Sequence, residues 1–153
     1  MSCFYIALYA PSSVQKLLEF VKTVYTVSEL IPVIIKPYGA AAQVGVPEAY
    51  KISYKLGKPL VILPEIRDLV DVLACNHIYY FDESGALIDL FSIILNNEKK
   101  AIVISSGEHE PSPREIGNAS IVWPSNIPRG MPSLAIIGIL VYEAMKTKGI
   151  KRL

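Results

Sequence analysis

Two loops hold most of the side chains that could do chemistry. The first, Ser105-Ser106-Gly107-Glu108-His109-Glu110-Pro111, sets two carboxylates on either side of a histidine. Such a pair can work as acid and base if both side chains reach one substrate. The commoner fate of two glutamates in a polar loop is solvation. The second loop, Pro124-Ser125-Asn126-Ile127-Pro128-Arg129-Gly130-Met131-Pro132, carries one cation, Arg129. Both loops exceed the usual connection of about 4–6 residues, and long loops are often functional. The bland alternative is that their prolines stiffen surface connections.

Other candidates are weaker. Gly39-Ala40-Ala41-Ala42-Gln43-Val44-Gly45 offers close approach to a ligand or, equally, tight packing against a neighbouring element. Lys16 and Lys22 could touch phosphate, although a solvated helix face is the simpler reading. Cys75 and His77 are too isolated for a zinc site, which needs three or four ligands; no metal site is expected. Neither G-x-G-x-x-G nor G-x-x-x-x-G-K-[ST] occurs, so those phosphate cradles are missing. No G-x-S-x-G elbow supports Ser105 or Ser106 as a nucleophile.

The elements that must position these loops follow from periodicity. Short apolar, β-branched runs predict strands at Phe4–Tyr9, Ile31–Ile35, Leu60–Leu63, His77–Phe81, Ala101–Ile104 and Ala119–Trp123. Between them, spacing of i, i+3, i+4, i+7 predicts a helix over Ser12–Thr26, with Ser12 and Gln15 as a capping box. Pro47 opens the next helix and Gly57 closes it. Glu65–Ala74 reads as a helix burying Ile66, Leu69, Val70 and Leu73. Ser84–Leu95 reads as another, aligning Leu87, Leu90, Phe91 and Ile94. Only a brief turn is expected near Pro113–Ile116. Pro132–Lys148 is ambiguous, because Ile136-Ile137 and Ile139-Leu140-Val141 suit a strand; length favours a helix ending near Gly149. That helix is apolar almost all round, so it needs cover on more than one side, from its own sheet and from a second copy. Apolar strands alternating with amphipathic helices imply an α/β fold with a six-stranded, mostly parallel sheet and helices on both faces. Both candidate loops then lie at carboxyl ends of strands, where open α/β sheets bind ligands.

Composition bounds the function. The 153 residues suit one domain, 1–153, with 52% hydrophobic and 19% charged residues. That balance excludes a disordered or acidic-activator chain. A net charge of +1 provides no general basic field, leaving only a locally basic nucleic-acid site. The longest apolar run, Leu134–Tyr142, falls far short of the roughly 20 residues that span a bilayer. The first residues lack a basic n-region, and two cysteines make no disulfide framework. The expectation is a reduced, cytoplasmic protein.

The C-terminal third resembles the SPOUT class of RNA methyltransferases, in particular its SpoU-like branch. The resemblance runs from about Ala101 to Lys146. Its parts are the strand and loop Ile102-Val103-Ile104-Ser105-Ser106-Gly107-Glu108, the loop Ile127-Pro128-Arg129-Gly130-Met131, and an apolar helix from Ser133-Leu134 to Tyr142-Glu143. It implies a C-terminal trefoil knot, a homodimer and S-adenosylmethionine as cofactor; the apolar excess around Leu134 to Val141 puts the dimer contact on the first and last helices. It further implies methyl transfer to RNA (rRNA or tRNA). Cofactor contacts would fall on Phe81, Ser106, Gly107, Ile127, Gly130, Met131, Ser133 and Leu134. Catalytic roles would fall on Arg129, Glu108 and Gln43. The sequence departs from the pattern twice. Gln43 stands roughly where the family has an arginine, and a neutral amide cannot replace that charge. Ala135 replaces the asparagine of the family's Ser-Leu-Asn. These departures keep open a non-catalytic SPOUT relative that binds cofactor or RNA. An unknotted flavodoxin-like binding module is the remaining alternative.

Overall fold

The computed structural model describes residues 3–152, with side chains through Thr147. Among them run six strands: β1 (Phe4–Tyr9), β2 (Leu30–Ile35), β3 (Val61–Leu63), β4 (His77–Ile88), β5 (Lys100–Ser105) and β6 (Ser120–Pro124). They form one sheet in the order β3-β2-β1-β5-β4-β6. Every pairing is parallel, with Phe4 opposite both Leu30 and Lys100. β1 is buried along its whole length, as the middle strand of a parallel sheet should be. The chain leaves β1 toward β2 and leaves β5 toward β6. The carboxyl ends of β1 and β5 therefore flank the point where strand order reverses.

The helices are α1 (Val14–Val24), α2 (Val46–Leu56), α3 (Asp68–Asp71), α4 (Leu90–Leu95), α5 (Pro113–Ile116) and α6 (Ser133–Arg152). Ile6, Leu8, Ile34, Tyr79, Ile102 and Ile104 face one core with α1, α2, α4 and α6. Tyr5, Ala7, Tyr9, Val33, Ile35, Ile78, Tyr80 and Val103 face the other, with Leu69 of α3 and only loops and short turns beside it. Helices do cover both faces, but unequally.

Three local expectations need correction, and one that was open is resolved. α1 is capped by Ser13, whose hydroxyl accepts from the Lys16 N–H at 3.1 Å; Gln15 donates to Glu19 instead of closing a box with Ser12. The Glu65–Ala74 helix shrinks to α3 with flanking turns, and Val70 is exposed. The helix expected over Ser84–Leu95 begins only at Leu90. Asp89 caps it, its carboxylate accepting from the Phe91 N–H at 3.1 Å. Ser84 to Ile88 instead continue β4: Phe81 and Ala86 both face Val122, so residues 82–85 are looped out. Asp82 holds that loop by accepting from the Ser84 N–H at 3.0 Å and from the Ser84 hydroxyl. Gly85 is required there, because a Cβ would come 2.7 Å from the Val122 nitrogen. Finally, the Gly39–Gly45 stretch is helical, with a wide π turn at Ala41–Gly45 leading into α2. It is a packing contact: a Cβ on Gly45 would lie 3.3 Å from a Leu17 methyl.

The ambiguous C-terminal segment is a helix, and it extends past Gly149. α6 packs on α1, α4 and β5. Ile136, Ile137, Leu140, Val141 and Ala144 are buried by these contacts. Most of the cover expected of a second copy thus comes from the chain itself, while Tyr142 and Met145 remain exposed.

Candidate functional site

The loops after β1 and β5 are tied together at the switch point. The Ser106 N–H donates to the Tyr9 carbonyl at 3.0 Å, and the Ser106 hydroxyl to the Ala10 carbonyl at 2.8 Å. Lys16 of α1 donates to the Ser106 carbonyl at 2.9 Å and pairs with Glu108 at 3.0 Å. Glu108 also accepts from the Ser12 N–H at 3.0 Å. Both carboxylate oxygens of Glu108 are thereby engaged, so it clamps the loop to the start of α1. Lys16 is part of the clamp rather than a solvated helix lysine.

Next to this clamp lies a cavity of about 290 Å³, lined by Tyr80, Phe81, Asp82, Glu83, Ile104, Ser105, Gly107, Glu110, Trp123, Met131, Ser133 and Ile136. It sits where the β4 loop-out, the β5 loop and the start of α6 meet. The Ser133 hydroxyl donates to the Ser105 carbonyl and joins the last helix to β5. The Glu83 carboxylate accepts from the Gly130 N–H and joins the loop-out to the β6 loop. Gly107 and Gly130 have φ values of 84° and 80°, where a side chain would be strained. The walls are flat and apolar at Phe81, Trp123 and Met131, with the Trp123 indole donating to the Ile127 carbonyl at 2.9 Å. The charges are of one sign. Asp82, Glu83 and Glu110 border the cavity, and no ion pair to any of them occurs among the described residues. A neutral or cationic guest with a flat apolar part suits such a lining.

The Tyr80 hydroxyl donates to Glu110 at 3.0 Å. Burial first, and that carboxylate second, push the Tyr80 phenol well above its ordinary range, so it stays a donor. Beside it, Tyr9 donates to Glu115, which also pairs with Lys36 at 3.2 Å. The Tyr9 hydroxyl is the main cause that lowers the Glu115 pKa to about 2; the Ser112 backbone and Lys36 add to it. A capping box between Ser112 and Glu115 opens α5. These bonds hold the loop of residues 106–116 down on the thinly covered sheet face.

Among the residues expected to bind cofactor, Phe81, Gly107, Met131 and Ser133 line the cavity. Ser106 and Ile127 are buried behind it, where they fix loop shape. Gly130 lies on the rim through Glu83, and Leu134 packs against the core. The expected catalytic trio is not gathered. Arg129 is exposed, with no ion pair or hydrogen bond to the described residues; Glu108 is in the clamp; Gln43 is exposed in the π turn, outside the cavity lining. Sequence reasoning missed Asp82, Glu83, Tyr80 and Trp123. The turn-rich Asp82-Glu83-Ser84-Gly85 was the available signal.

A larger groove, about 930 Å³, lies at the amino ends of β4 and β6 between α3 and α5. It is the wrong end of a parallel sheet for ligand binding by the switch-point rule. His77 there is structural: it stacks on Tyr79 at 4.2 Å and bonds Ser120 at 2.8 Å. Burial raises the Cys75 pKa to about 11, so the thiol stays protonated. Among the described residues no group of three His, Cys, Asp or Glu could hold a metal ion, and no helix is long and apolar enough to cross a membrane.

The six-stranded parallel α/β fold is similar to that of solved SpoU-type RNA methyltransferases. The chain matches a protein of the 2-OH methylation of C/U34 on tRNA with a TM-score of 0.67 at 15% identity, covering 95% of each chain. It matches the SpoU methyltransferase AviRb from Streptomyces viridochromogenes, in complex with AdoMet, at 0.69 and 12%, covering 96% of this chain and 61% of that one. At such identities the likeness is one of fold. By sequence, the chain belongs to the RecB-family nuclease (DUF2122) family, whose model matches residues 39–143. "Putative type II restriction enzyme ApeKORF2002P" of Aeropyrum pernix is 33% identical over 140 residues, 90% of either chain. A similarly named relative from Methanocaldococcus jannaschii is 30% identical over 79 residues, covering 52% of this chain and 54% of its own.

Proposed function

We propose that this chain is an S-adenosylmethionine-dependent RNA methyltransferase of the SPOUT class, folded as one domain over 1–153 and acting in the cytoplasm on rRNA or tRNA. The observation that carries this reading is the cavity at the carboxyl ends of β4 and β5, closed by the loop before α6, in a fold shared with a methyltransferase solved with AdoMet. The lining fits that group. Phe81, Trp123 and Met131 offer a flat apolar slot for a purine, and Asp82, Glu83 and Glu110 offer negative charge to a sulfonium and an ammonium. Gly107 and Gly130 leave room for backbone donors to approach. Gly107→Val fills the slot and removes cofactor binding.

The cofactor, when bound, supplies a methyl group on a positively charged sulfur. The chain's own work is positioning and electrostatics. The Lys16–Glu108 clamp fixes the β5 loop, Tyr80 holds the Glu110 carboxylate at the cavity, and Arg129, free on the rim, holds an RNA phosphate. Three uncompensated carboxylates keep phosphate itself out of the cavity, so only a base or ribose edge of the RNA reaches the methyl group.

The knot and the homodimer belong to the same proposal. After β6, at the edge of the sheet, the chain returns past β4 to β5, where Ser133 bonds Ser105 and α6 packs on α1. We take α6 to pass through the loops it crosses. The dimer reading rests on Tyr142 and Met145 of α6 and Phe91 of α4, which stay exposed. α1 presents Gln15, Glu19 and Lys22 outward, so its outer face adds little apolar area.

The test is calorimetry with S-adenosylmethionine, followed by methyl transfer to total RNA. Binding with transfer supports the reading, and binding without transfer identifies a non-catalytic relative. No binding at millimolar cofactor overturns it. The family description favours a second reading, a nuclease. Nucleases often clamp the phosphate with paired metal ions, and the described residues offer no cluster for one. Cleavage of DNA or RNA in the presence of Mg²⁺ or Mn²⁺ would favour that reading over ours.

A further inference from the structure

The helical segment over residues 39–56 runs roughly 27 Å from the carboxyl end of the sheet. Its inner face is small and buried at Ala41, Gly45 and Ala49, where it meets α1. Its outer face is unusual. Tyr54 is 91% exposed and Tyr50 is 48% exposed, and neither has a hydrogen-bond partner among the described residues. Spaced four apart, their Cβ atoms lie about 5–6 Å from one another on one side of the helix. Lys51 and Lys55 follow the same spacing one residue on, and both are exposed. The stripe's acid, Glu48, pairs with Lys51 at 3.0 Å, an exposed contact that is readily exchanged. Lys55 has no partner among the described residues. In a chain of net charge +1, this is a local basic strip interleaved with bare aromatic rings.

We propose that this face of α2 is a stacking platform for single-stranded RNA, a contact remote from the carboxyl-edge cavity. The inference rests on the methyltransferase reading for its RNA, but the platform itself is tested by binding alone. Paired rings with adjacent lysines are the recurring solution for single strands, because every base has a π face and every nucleotide a phosphate. A second copy is the poorer occupant. A two-fold contact over this helix would set lysines against lysines, and lysine is depleted in the cores of protein interfaces. The helix begins just after β2 and runs towards the amino ends of the strands, so Tyr50 and Tyr54 sit well away from the cavity at β4 and β5 and would touch a different part of the RNA.

The experiment is fluorescence anisotropy of the full chain with a short labelled oligouridylate at low salt. Tyr54→Ala should weaken binding about tenfold, and Tyr50→Ala with Tyr54→Ala about a hundredfold. Tyr54→Phe should bind like the wild type, because stacking needs the ring and not the hydroxyl. Lys55→Glu should weaken binding and flatten its salt dependence. All three positions are exposed, so thermal melting should be unchanged. Calorimetry with S-adenosylmethionine on the double alanine variant should match the wild type. Wild-type protein that binds no oligouridylate, or a double variant that binds within twofold of it, overturns the proposal. So does sedimentation in which the double variant converts a dimer to a monomer, since a second copy then covers this face. Loss of cofactor binding in the wild type with RNA binding intact would break the methyltransferase reading and leave the platform standing.

Discussion

The two faces of the sheet are built on different physics. One carries α1, α2, α4 and α6 on a continuous apolar layer that includes Leu17, Phe20, Ile102 and Ile137. The other carries α3, α5 and a long loop, and its buried layer ends in hydroxyls: Tyr9 on Glu115 and Tyr80 on Glu110. The first face supplies stability without direction. The second fixes where a loop sits, because hydrogen bonds are directional and apolar contacts are not. The candidate site lies where the two meet.

The comparison breaks most visibly by emptying the first face. Phe20→Ala leaves a cavity under α1 and should cost about 3–5 kcal/mol, read by chemical denaturation. A loss under about 1 kcal/mol would mean that α1 is loosely packed. Arg129→Ala tests the rim where neither face contributes. It should lower methyl transfer about a hundredfold, roughly 2.7 kcal/mol, and leave cofactor affinity, expected near about 10 µM, within a few-fold. If affinity collapses with activity, Arg129 belongs to the cofactor pocket.

Tyr80→Phe sharpens the contrast on the second face. It removes a donor to a charged partner, so stability should fall by about 1.5 kcal/mol. Cofactor affinity should fall several-fold, because Glu110 is released from its place at the cavity. A stability change alone would make Tyr80 merely structural. The smallest effect is in pH. The folded Glu115 pKa is held near 2, below its ordinary value of 4.5. A depressed carboxylate stabilises the fold above its unfolded pKa, and that contribution drains as pH falls from about 4.5 toward 2. Glu115→Gln should flatten the pH dependence of melting in that window and lower melting modestly at neutral pH, where the carboxylate's contribution is fully present, so that variant and wild type converge in acid. An unchanged acid limb would mean that the Tyr9–Glu115 contact is not maintained in solution.

Much of the fold was legible in the residues. All six strands announced themselves as short β-branched or aromatic runs, β4 only as far as Phe81, because strands of a covered parallel sheet are largely apolar. The site was only half legible. The loops at 105–111 and 124–132 stood out by length and composition, and four of the expected cofactor contacts line the cavity. Asp82 and Glu83 were hidden by reading Ser84–Leu95 as one helix. Leu87, Leu90, Phe91 and Ile94 do fit a helical face, yet Asp82 holds a short loop-out after which the chain resumes β4, and only Asp89 starts the helix. Local hydrogen bonds won over periodicity there. The reading of Glu108 as an acid or base overlooked Lys16, far away in sequence and 3.0 Å away in space.

The sequence by itself determined the α/β class, the strands, the cap of α2 at Gly57 and the place of the long loops, since these follow from local propensity and hydrophobic period. Only the tertiary structure decided which carboxylate is free and which is tied. Glu108, Glu110 and Glu115 lie within eight positions of one another and look alike on paper. Lys16 neutralises the first, Tyr80 aims the second at the cavity, and Tyr9 with Lys36 holds the third. Their partners come from α1, β4, β1 and the end of β2, and charge interactions depend on distance through space, which the order of residues does not encode.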